Sequence, residues 1–380
     1  MQSIFKKAKR IVFKFGTNAL SADDGSLALS RLYSFMEDIA VLHQQGKEIL
    51  IVTSGAVGVG RRILGLSGQE DGVSFKQACA AVGQTSLMKT YEDGFRDLGI
   101  VAAQVLLTED DFSNRSRYLS LRDTLGRLLE LKCIPVINQN DTVSPNELRG
   151  YKEKGVKVCF GDNDKLSALV ASGMDADLLC IMSDVEGLYN ADPRKDKKAT
   201  LIHQVKGVTE EIEALGFCAS SRGRGGMKTK LEAAKVVTRC GAAMIIAYGK
   251  KHGAVGEVFG PSFKGTLFLP VEDLPGKKAW LAYATNVTGS IKINAGAKKA
   301  LCEKGSSLLP AGVVDVTGDF EPGDTVAIYD ASGKEVARGL ANYSASDSRK
   351  IMGCRSEEIA KKIGFKNYDE LIHRDNIVLL

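Results

Sequence analysis

The chain has 380 residues, 44% of them hydrophobic and 26% charged, with a formal net charge of +5. That length suits two domains, that composition suits a soluble fold with a real core, and that charge is too small to mark a nucleic-acid protein by itself. No apolar run reaches the ~18 residues of a membrane span, and the start, MQSIFKKAKRIVFKFG, lacks the apolar core and cleavage site of an export signal, so the cytoplasm is the expected location.

In chain order, RIVFKFG (10–16) predicts a short strand ending in glycine, and LALSRLYSFMEDIAVLHQQG (27–46) predicts a helix with a glycine stop. EILIVTSG (48–55) is a second strand, 74–98 a helix, IVAAQVLLT (100–108) a third strand and RYLSLRDTLGRLLELK (117–132) a helix. CIPVINQND (133–141), DADLLCIMSD (175–184) and AAMIIAYG (242–249) complete six strands. Strands rich in Val, Ile and Leu that alternate with helices predict an α/β fold: a three-layer sandwich with a mainly parallel central sheet. The polar stretch 142–160 interrupts the alternation and is expected to project as a hairpin or mobile loop. Near LPVEDLPGKKAW (269–280) the texture changes to Pro and charge, and the short strand-like pieces SIKINAG, VVDVTG, DTVAIYD and EVARGL follow. The expected division is a catalytic domain over 1–268, a linker over 269–276, and a small β-rich domain with a C-terminal tail over 277–380.

Eight cysteines are scattered without a C-x-x-C pair, and the four histidines stand apart. Reduced thiols and no zinc site are expected.

Ligands of a parallel sheet bind beyond the carboxyl ends of its strands. Those ends carry Lys14, Gly16, Thr17 and Asn18; Thr53, Ser54 and Gly55; Asn138, Asn140 and Asp141; and Ser183 with Asp184. Lys14 lies inside an apolar strand. It is either a surface lysine on an edge strand or a cation placed to meet an anion. GAVGVG (55–60) is G-x-x-G-x-G, the reverse of a dinucleotide fingerprint, so hydride transfer is rejected. It reads as a glycine-rich turn, plain or able to hold a carboxylate. GDND (161–164) precedes the helix-like KLSALVASG. It is a cap, or it binds an ammonium group, positions a lysine or sits near magnesium. GRGGMKTK (223–230) nearly matches a phosphate loop, but Met227 stands where that motif needs glycine. Gly223, Gly225 and Gly226 still let a backbone approach phosphate, the following helix offers N–H groups, and Lys228 and Lys230 add charge; a merely structural turn is the alternative.

The pieces FKFGTNAL (13–20), IVTSGAVGVGR (51–61), AAVGQ (80–84), LLTEDDF (106–112), RDTL (122–125), PVINQND (135–141), GDNDKLSAL (161–169), GLYNADPR (187–194), GGMKTKL (225–231) and GSSLLPAGV (305–313) resemble the glutamate 5-kinases of the amino acid kinase family. The resemblance runs over essentially the whole chain and implies a C-terminal PUA-type domain. It also implies ATP-dependent phosphorylation of the γ-carboxylate of L-glutamate, the first step of proline biosynthesis. Carried over by position, Lys14 and Lys230 would stabilise the transferring phosphoryl group and Asp164 would orient them. Ser54, Asp141 and Asn163 would bind glutamate, with Gly55 and Asn138 nearby. Lys14, Gly16, Thr17, Ser183, Asp184, Arg224, Gly225, Gly226, Met227, Lys228, Thr229 and Lys230 would hold ATP, with Mg²⁺ accompanying it. Proline is implied as a feedback inhibitor, and a homo-oligomer, tetramer or dimer, as the assembly.

The sequence departs from the family pattern in three places. Arg224 and Ser183 stand where threonine is usual, and Gln139 where glutamate is usual. Arg224 either adds a phosphate contact or points outward, and Gln139 removes a negative charge beside the amino acid. The 142–160 region, which serves glutamate binding and feedback in the family, looks longer than in relatives with a short connection. The rival readings are another carboxylate kinase of the family, acting on aspartate or acetylglutamate, and RNA binding through the last domain. From Lys277 onward 15 Lys/Arg face 13 Asp/Glu, a weak footprint for a phosphate backbone, so RNA is not the expected partner.

Overall fold

The computed structural model describes residues 2–22, 25–66, 72–143, 163–217, 226–261, 263–271, 281–282 and 287–380. Most of the predicted 142–160 loop and of the predicted linker lies outside these residues. Among the described residues, those up to 271 form one compact unit and those from 281 onward a second.

The first unit is organised by one sheet. Its strands are β1 (Arg10–Phe15), β2 (Glu48–Val52), β3 (Ala102–Leu107), β4 (Ile134–Gln139), β5 (Leu178–Ser183), β6 (Gln204–Val205), β7 (Ala243–Tyr248) and β8 (Thr266–Phe268). The spatial order is β3-β4-β2-β1-β5-β7-β8-β6. All six strands anticipated from apolar runs are present, and every neighbouring pair among them is parallel. β6 and β8 were not anticipated. They are two and three residues long, too short to register as apolar runs, and β8 runs antiparallel to β7.

β1 sits in the middle of the sheet, with Lys14 opposite Val52 on β2 and Ile181 on β5. Alternation along the strand sends Phe13 and Phe15 to one face and Lys14 to the other. Phe15 stacks on Phe35 of the helix Leu29–Gln44 at 4.9 Å between centroids, which anchors the first face in the main core. The second face is covered by the helix Asn163–Gly173, whose residues other than Lys165 are all buried. Its sequence, NDKLSALVASG, is rich in small side chains, so the helix packs closely between the sheet and the helix Met227–Arg239.

GAVGVG corrects the turn reading. Only Gly55 belongs to the turn, with φ of 104°, and residues from Ala56 to Ile63 are helical. Gly60 and Gly83 instead serve a helix crossing. A Cβ added at Gly60 would lie 1.8 Å from Cys79 O, and one at Gly83 would lie 1.8 Å from Ala56 O. The two backbones meet because neither glycine carries a side chain.

In the second unit, β9 (Gly289–Ile293), β10 (Val313–Gly318), β11 (Thr325–Tyr329), β12 (Glu335–Leu340) and β13 (Ile377–Leu379) form a five-stranded sheet ordered β10-β9-β11-β12-β13. β9 and β11 are parallel and the other pairs antiparallel. Ile291, Ile293, Phe320, Val326, Ile328 and Tyr343 fill its core. The four anticipated strands are there, joined by the helices Ala295–Lys304 and Ala345–Ile351 that the turn-rich spacing had hidden. Among the described residues no helix is long and apolar enough to cross a membrane.

Candidate active site

Because the six central strands are parallel, their carboxyl ends share one edge, and the polar residues that terminate each apolar run are gathered there. Beside them lies a fully buried carboxylate, Asp164, in the first turn of the helix Asn163–Gly173 and 0% exposed. Of the alternatives that GDND left open, the geometry matches the carboxylate beside a lysine and not the cap: Asp164 lies within the helix Asn163–Gly173 and meets two lysines.

Asp164 collects three partners. Lys14 Nζ lies 2.5 Å from Oδ1, and Lys230 Nζ lies 3.0 Å from Oδ2. Thr229 Oγ1 donates to Oδ2 at 2.9 Å. Lys14 and Lys230 are themselves buried, at 3% and 5% exposure. Two cations thus converge on one carboxylate, from β1 and from the first turn of the helix Met227–Arg239. Burial alone would raise the Asp164 pKa, but the charges of Lys14 and then Lys230 outweigh it and hold the group well below the usual carboxylate range. Asp164 is therefore ionised at neutral pH.

The helix Met227–Arg239 opens at Gly226 in extended conformation, and no side chain caps it. Thr229 Oγ1 turns back to Gly226 O at 2.9 Å as well as to Asp164. Among the described residues no side chain caps this helix start, and a helix start of that kind suits phosphate. Met227 is half-buried, and Lys228 is exposed and makes no bond to the Asp164 cluster. Arg224 and Gly225 lie outside the described residues.

One residue before Asp164, Asn163 joins a second network. Its Nδ2 donates to Ser54 Oγ at 2.8 Å, to Asn138 Oδ1 at 3.0 Å, and to the carbonyl of Thr53. Thr53 Oγ1 is 3.0 Å from the hydroxyl of Tyr91. Asn138 Nδ2 donates to Gln84 Oε1 at 2.8 Å. The ends of β2 and β4 and the helix Asn163–Gly173 are thereby locked into one polar wall. Gly55 follows directly, at the start of the helix Ala56–Ile63. Asp141 lies two residues past β4 and is half-buried.

A third group sits where β1 and β5 end. Asn18 Nδ2 donates to Asp184 Oδ2 at 2.8 Å, and Ser183 Oγ donates to Asp184 Oδ1 at 3.2 Å. Ser183 O accepts from the N–H of Gly249 at 2.6 Å, which brings in the end of β7. Gly16 lies beside Lys14, whose Nζ would be 3.5 Å from a Cβ at that position. Thr17 is exposed at the start of the short helix Thr17–Leu20. Gln84, Thr53, Tyr91 and Asn18 belong to these networks, but none of them was given a role from the sequence. AAVGQ and the strand ends mark where three of them lie without saying what they touch.

The described residues hold no group of three or more His, Cys, Asp or Glu that could coordinate a metal ion. Asp164 is committed to two lysines and Asp184 to two neutral donors. A magnesium ion fits such a site when phosphate oxygens and water supply most of its shell, as is usual for that ion.

Comparison with known proteins gives consistent results. The amino acid kinase family profile matches residues 9–247, and the PUA domain profile matches residues 289–363. The chain is 45% identical over 381 residues to a protein named glutamate 5-kinase from Geobacter sp. (strain M21), covering 100% of both chains. It is 43% identical over 373 residues to one of the same name from Thermoanaerobacter sp. (strain X514), covering 98% of each. A third, from Moorella thermoacetica, is 44% identical over 376 residues, covering 98% of this chain and 97% of the relative.

Proposed function

The chain belongs to the amino acid kinase family, among the glutamate 5-kinases with a C-terminal PUA domain, and from that premise we propose how its residues perform the reaction. The enzyme phosphorylates glutamate. A γ-carboxylate oxygen of L-glutamate attacks the terminal phosphorus of ATP, the new P–O bond forms as the bond to the bridging oxygen breaks, and ADP leaves. The product is L-glutamyl 5-phosphate, the first intermediate towards proline.

The nucleophile is already an anion at neutral pH, so no general base is required. The obstacle is repulsion between the carboxylate and the triphosphate. In a loose phosphoryl-transfer transition state charge spreads over the equatorial oxygens, and catalysis is mostly alignment plus cationic stabilisation. Lys14 and Lys230 supply that stabilisation. Asp164 fixes both ammonium groups in place beforehand, so they need no reorganisation when charge develops. The uncapped start of the helix Met227–Arg239, with Thr229 beside it, receives phosphate oxygens together with Gly225 and Arg224. Ser183, Asp184, Gly16 and Thr17 border the nucleotide. Mg²⁺, bound through the phosphates, neutralises part of their charge. Ser54, Gly55, Asn138 and Asn163 line the amino acid end, and Asp141 faces its ammonium group.

The observation that carries this reading is the convergence of Lys14 and Lys230 on the fully buried Asp164. The test is ADP release with ATP, Mg²⁺ and a panel of glutamate, aspartate, acetylglutamate and carbamate. Release that depends on glutamate is expected; release driven better by another acceptor overturns the assignment. The reading includes feedback by proline, checked by adding proline to the same assay, and a homo-oligomer, checked by sedimentation.

A further inference from the structure

The hydrogen bonds of Asn138 fix the orientation of the amide beside it. Asn138 Oδ1 accepts from the N–H of Gln139 at 2.9 Å and from Asn163 Nδ2 at 3.0 Å. Oδ1 is therefore the carbonyl oxygen and Nδ2 the donor. Nδ2 gives its hydrogen to Gln84 Oε1 at 2.8 Å. That leaves Gln84 Nε2 as an N–H₂ group, and this atom is buried with no hydrogen-bond partner among the described residues. A buried donor left without an acceptor costs about 1–3 kcal/mol, so it calls for a reason.

Its location supplies one. Gln84 follows Gly83, whose missing side chain lets the helix Val73–Asp97 touch the carbonyl of Ala56, one residue past Gly55. Its own bond reaches Asn138 at the end of β4. The amide is thus set in the wall formed by the ends of β2 and β4. In the order β4-β2-β1, β4 is two strands from the strand that carries Lys14, roughly 10 Å across the sheet. Phosphoryl transfer belongs over Lys14 and Lys230, so this wall meets the opposite end of the amino acid. That end carries an α-carboxylate and an ammonium group, and an N–H₂ donor pairs only with the first.

We infer that Gln84 Nε2 donates a hydrogen bond to the α-carboxylate of the substrate, while Gln84 Oε1 holds Asn138. Gln84 is then a specificity residue for a free α-carboxylate. The inference rests on the reading above, in which the γ-carboxylate of glutamate faces the two lysines.

Gln84→Glu separates the two halves of the role. The substituted side chain keeps the length and the acceptor that Asn138 needs, and it replaces the donor by an anion. The expected result is a KM for glutamate raised about tenfold or more, the loss typical of a hydrogen bond to a charged group, with the KM for ATP near that of the unsubstituted protein. Glutamate α-amide, which presents an N–H₂ group in place of the carboxylate oxygen, gains in comparison. The ratio of kcat/KM for glutamate to that for the α-amide falls about tenfold or more. An unchanged ratio overturns the inference, because a residue that only holds Asn138 tolerates this change. If Gln84→Glu does not fold, Gln84→Met is read through the same ratio, in which a displaced Asn138 affects both substrates alike, and an unchanged ratio again overturns it. Absence of glutamate-dependent ADP release in the unsubstituted protein refutes the functional reading itself. Normal release with an unchanged ratio refutes the Gln84 assignment alone.

Discussion

The two ends of the helix Asn163–Gly173 are both surrounded by charge, and they use it differently. At the amino end, Asp164 is wholly buried between two buried lysines. At the carboxyl end, Arg122 donates to Gly173 O at 2.9 Å and pairs with Asp175, and Arg10 donates to Met174 O. There the groups are partly open to solvent, with the Arg122 and Asp175 side chains 37% and 51% exposed. Asp175 itself takes a left-handed φ of 49°, as a residue just past a helix end commonly does. The carboxyl end is an ordinary cap: cations satisfy the last carbonyls and suit the negative end of the helix dipole. The amino end removes three charges from water, an arrangement that stability alone does not favour, since apolar replacements of buried ion clusters are often as stable or more so. A costly cluster at a rim where polar strand ends converge marks chemistry, and a satisfied, half-exposed one marks stability.

Substitutions can break that contrast, and the largest effect belongs to Asp164. Asp164→Ala leaves two buried cations facing each other. It should destabilise the first unit by about 3–5 kcal/mol in denaturant unfolding and abolish most turnover. Stability near that of the unsubstituted protein would mean the lysines relax to solvent at little expense. Lys230→Ala comes next. One lysine still neutralises Asp164, so the fold and the KM for glutamate should hold while kcat drops about 10²–10³-fold, as for loss of one donor to a developing anion. Near-normal turnover would remove Lys230 from the reaction.

Gly55→Ala tests the backbone beside the cluster. Nothing lies within 4 Å of the added methyl, so the effect is the strain of φ at 104°, about 1–2 kcal/mol of stability, read by thermal unfolding. Arg122→Ala probes the other end. It should remove about 1 kcal/mol of stability and leave kcat unchanged, because its bonds are partly exposed and distant from the reacting groups. A fall in kcat without a fall in stability would show that the cap positions Asp164 through the helix.

The smallest effect is the dependence on acid. Asp164 has a folded pKa depressed below its unfolded value near 4, so its ionised form contributes stability that is complete above about pH 4 and is lost as pH falls towards the folded pKa. The stability gap between the unsubstituted protein and Asp164→Asn should therefore stay constant from neutral pH down to about 5 and narrow below 4. A gap that already changes near neutrality would contradict an ionised, doubly paired Asp164.

Much of the site was legible before any coordinates. Lys14 stood out because an apolar strand rarely contains a cation, and the parallel arrangement followed from strand and helix alternation. The glycines were read less well. GAVGVG looks like a loop, yet its last glycine is where one helix lies on another, a fact visible only when Cys79 and Gly83 are placed beside it. GDND left a cap, an ammonium ligand, a lysine-positioning group and a neighbour of magnesium open, and only the pairing of Asp164 with Lys14 and Lys230 separates them. Gln84 closes the AAVGQ piece, yet that piece gave it no role, since its amide has meaning only against Asn138, 54 residues away.

The sequence by itself determined the local chemistry: where apolar runs stop, which residue types stand at those stops, and that the chain divides into an α/β part and a β-rich part. Those properties follow from side-chain periodicity over a few residues. Only the tertiary structure decided which stops meet. Strand order and helix packing bring residues 14 and 230 onto the carboxylate of residue 164, and pairing across such sequence distances is set by the register and close packing of whole elements, which no local pattern encodes.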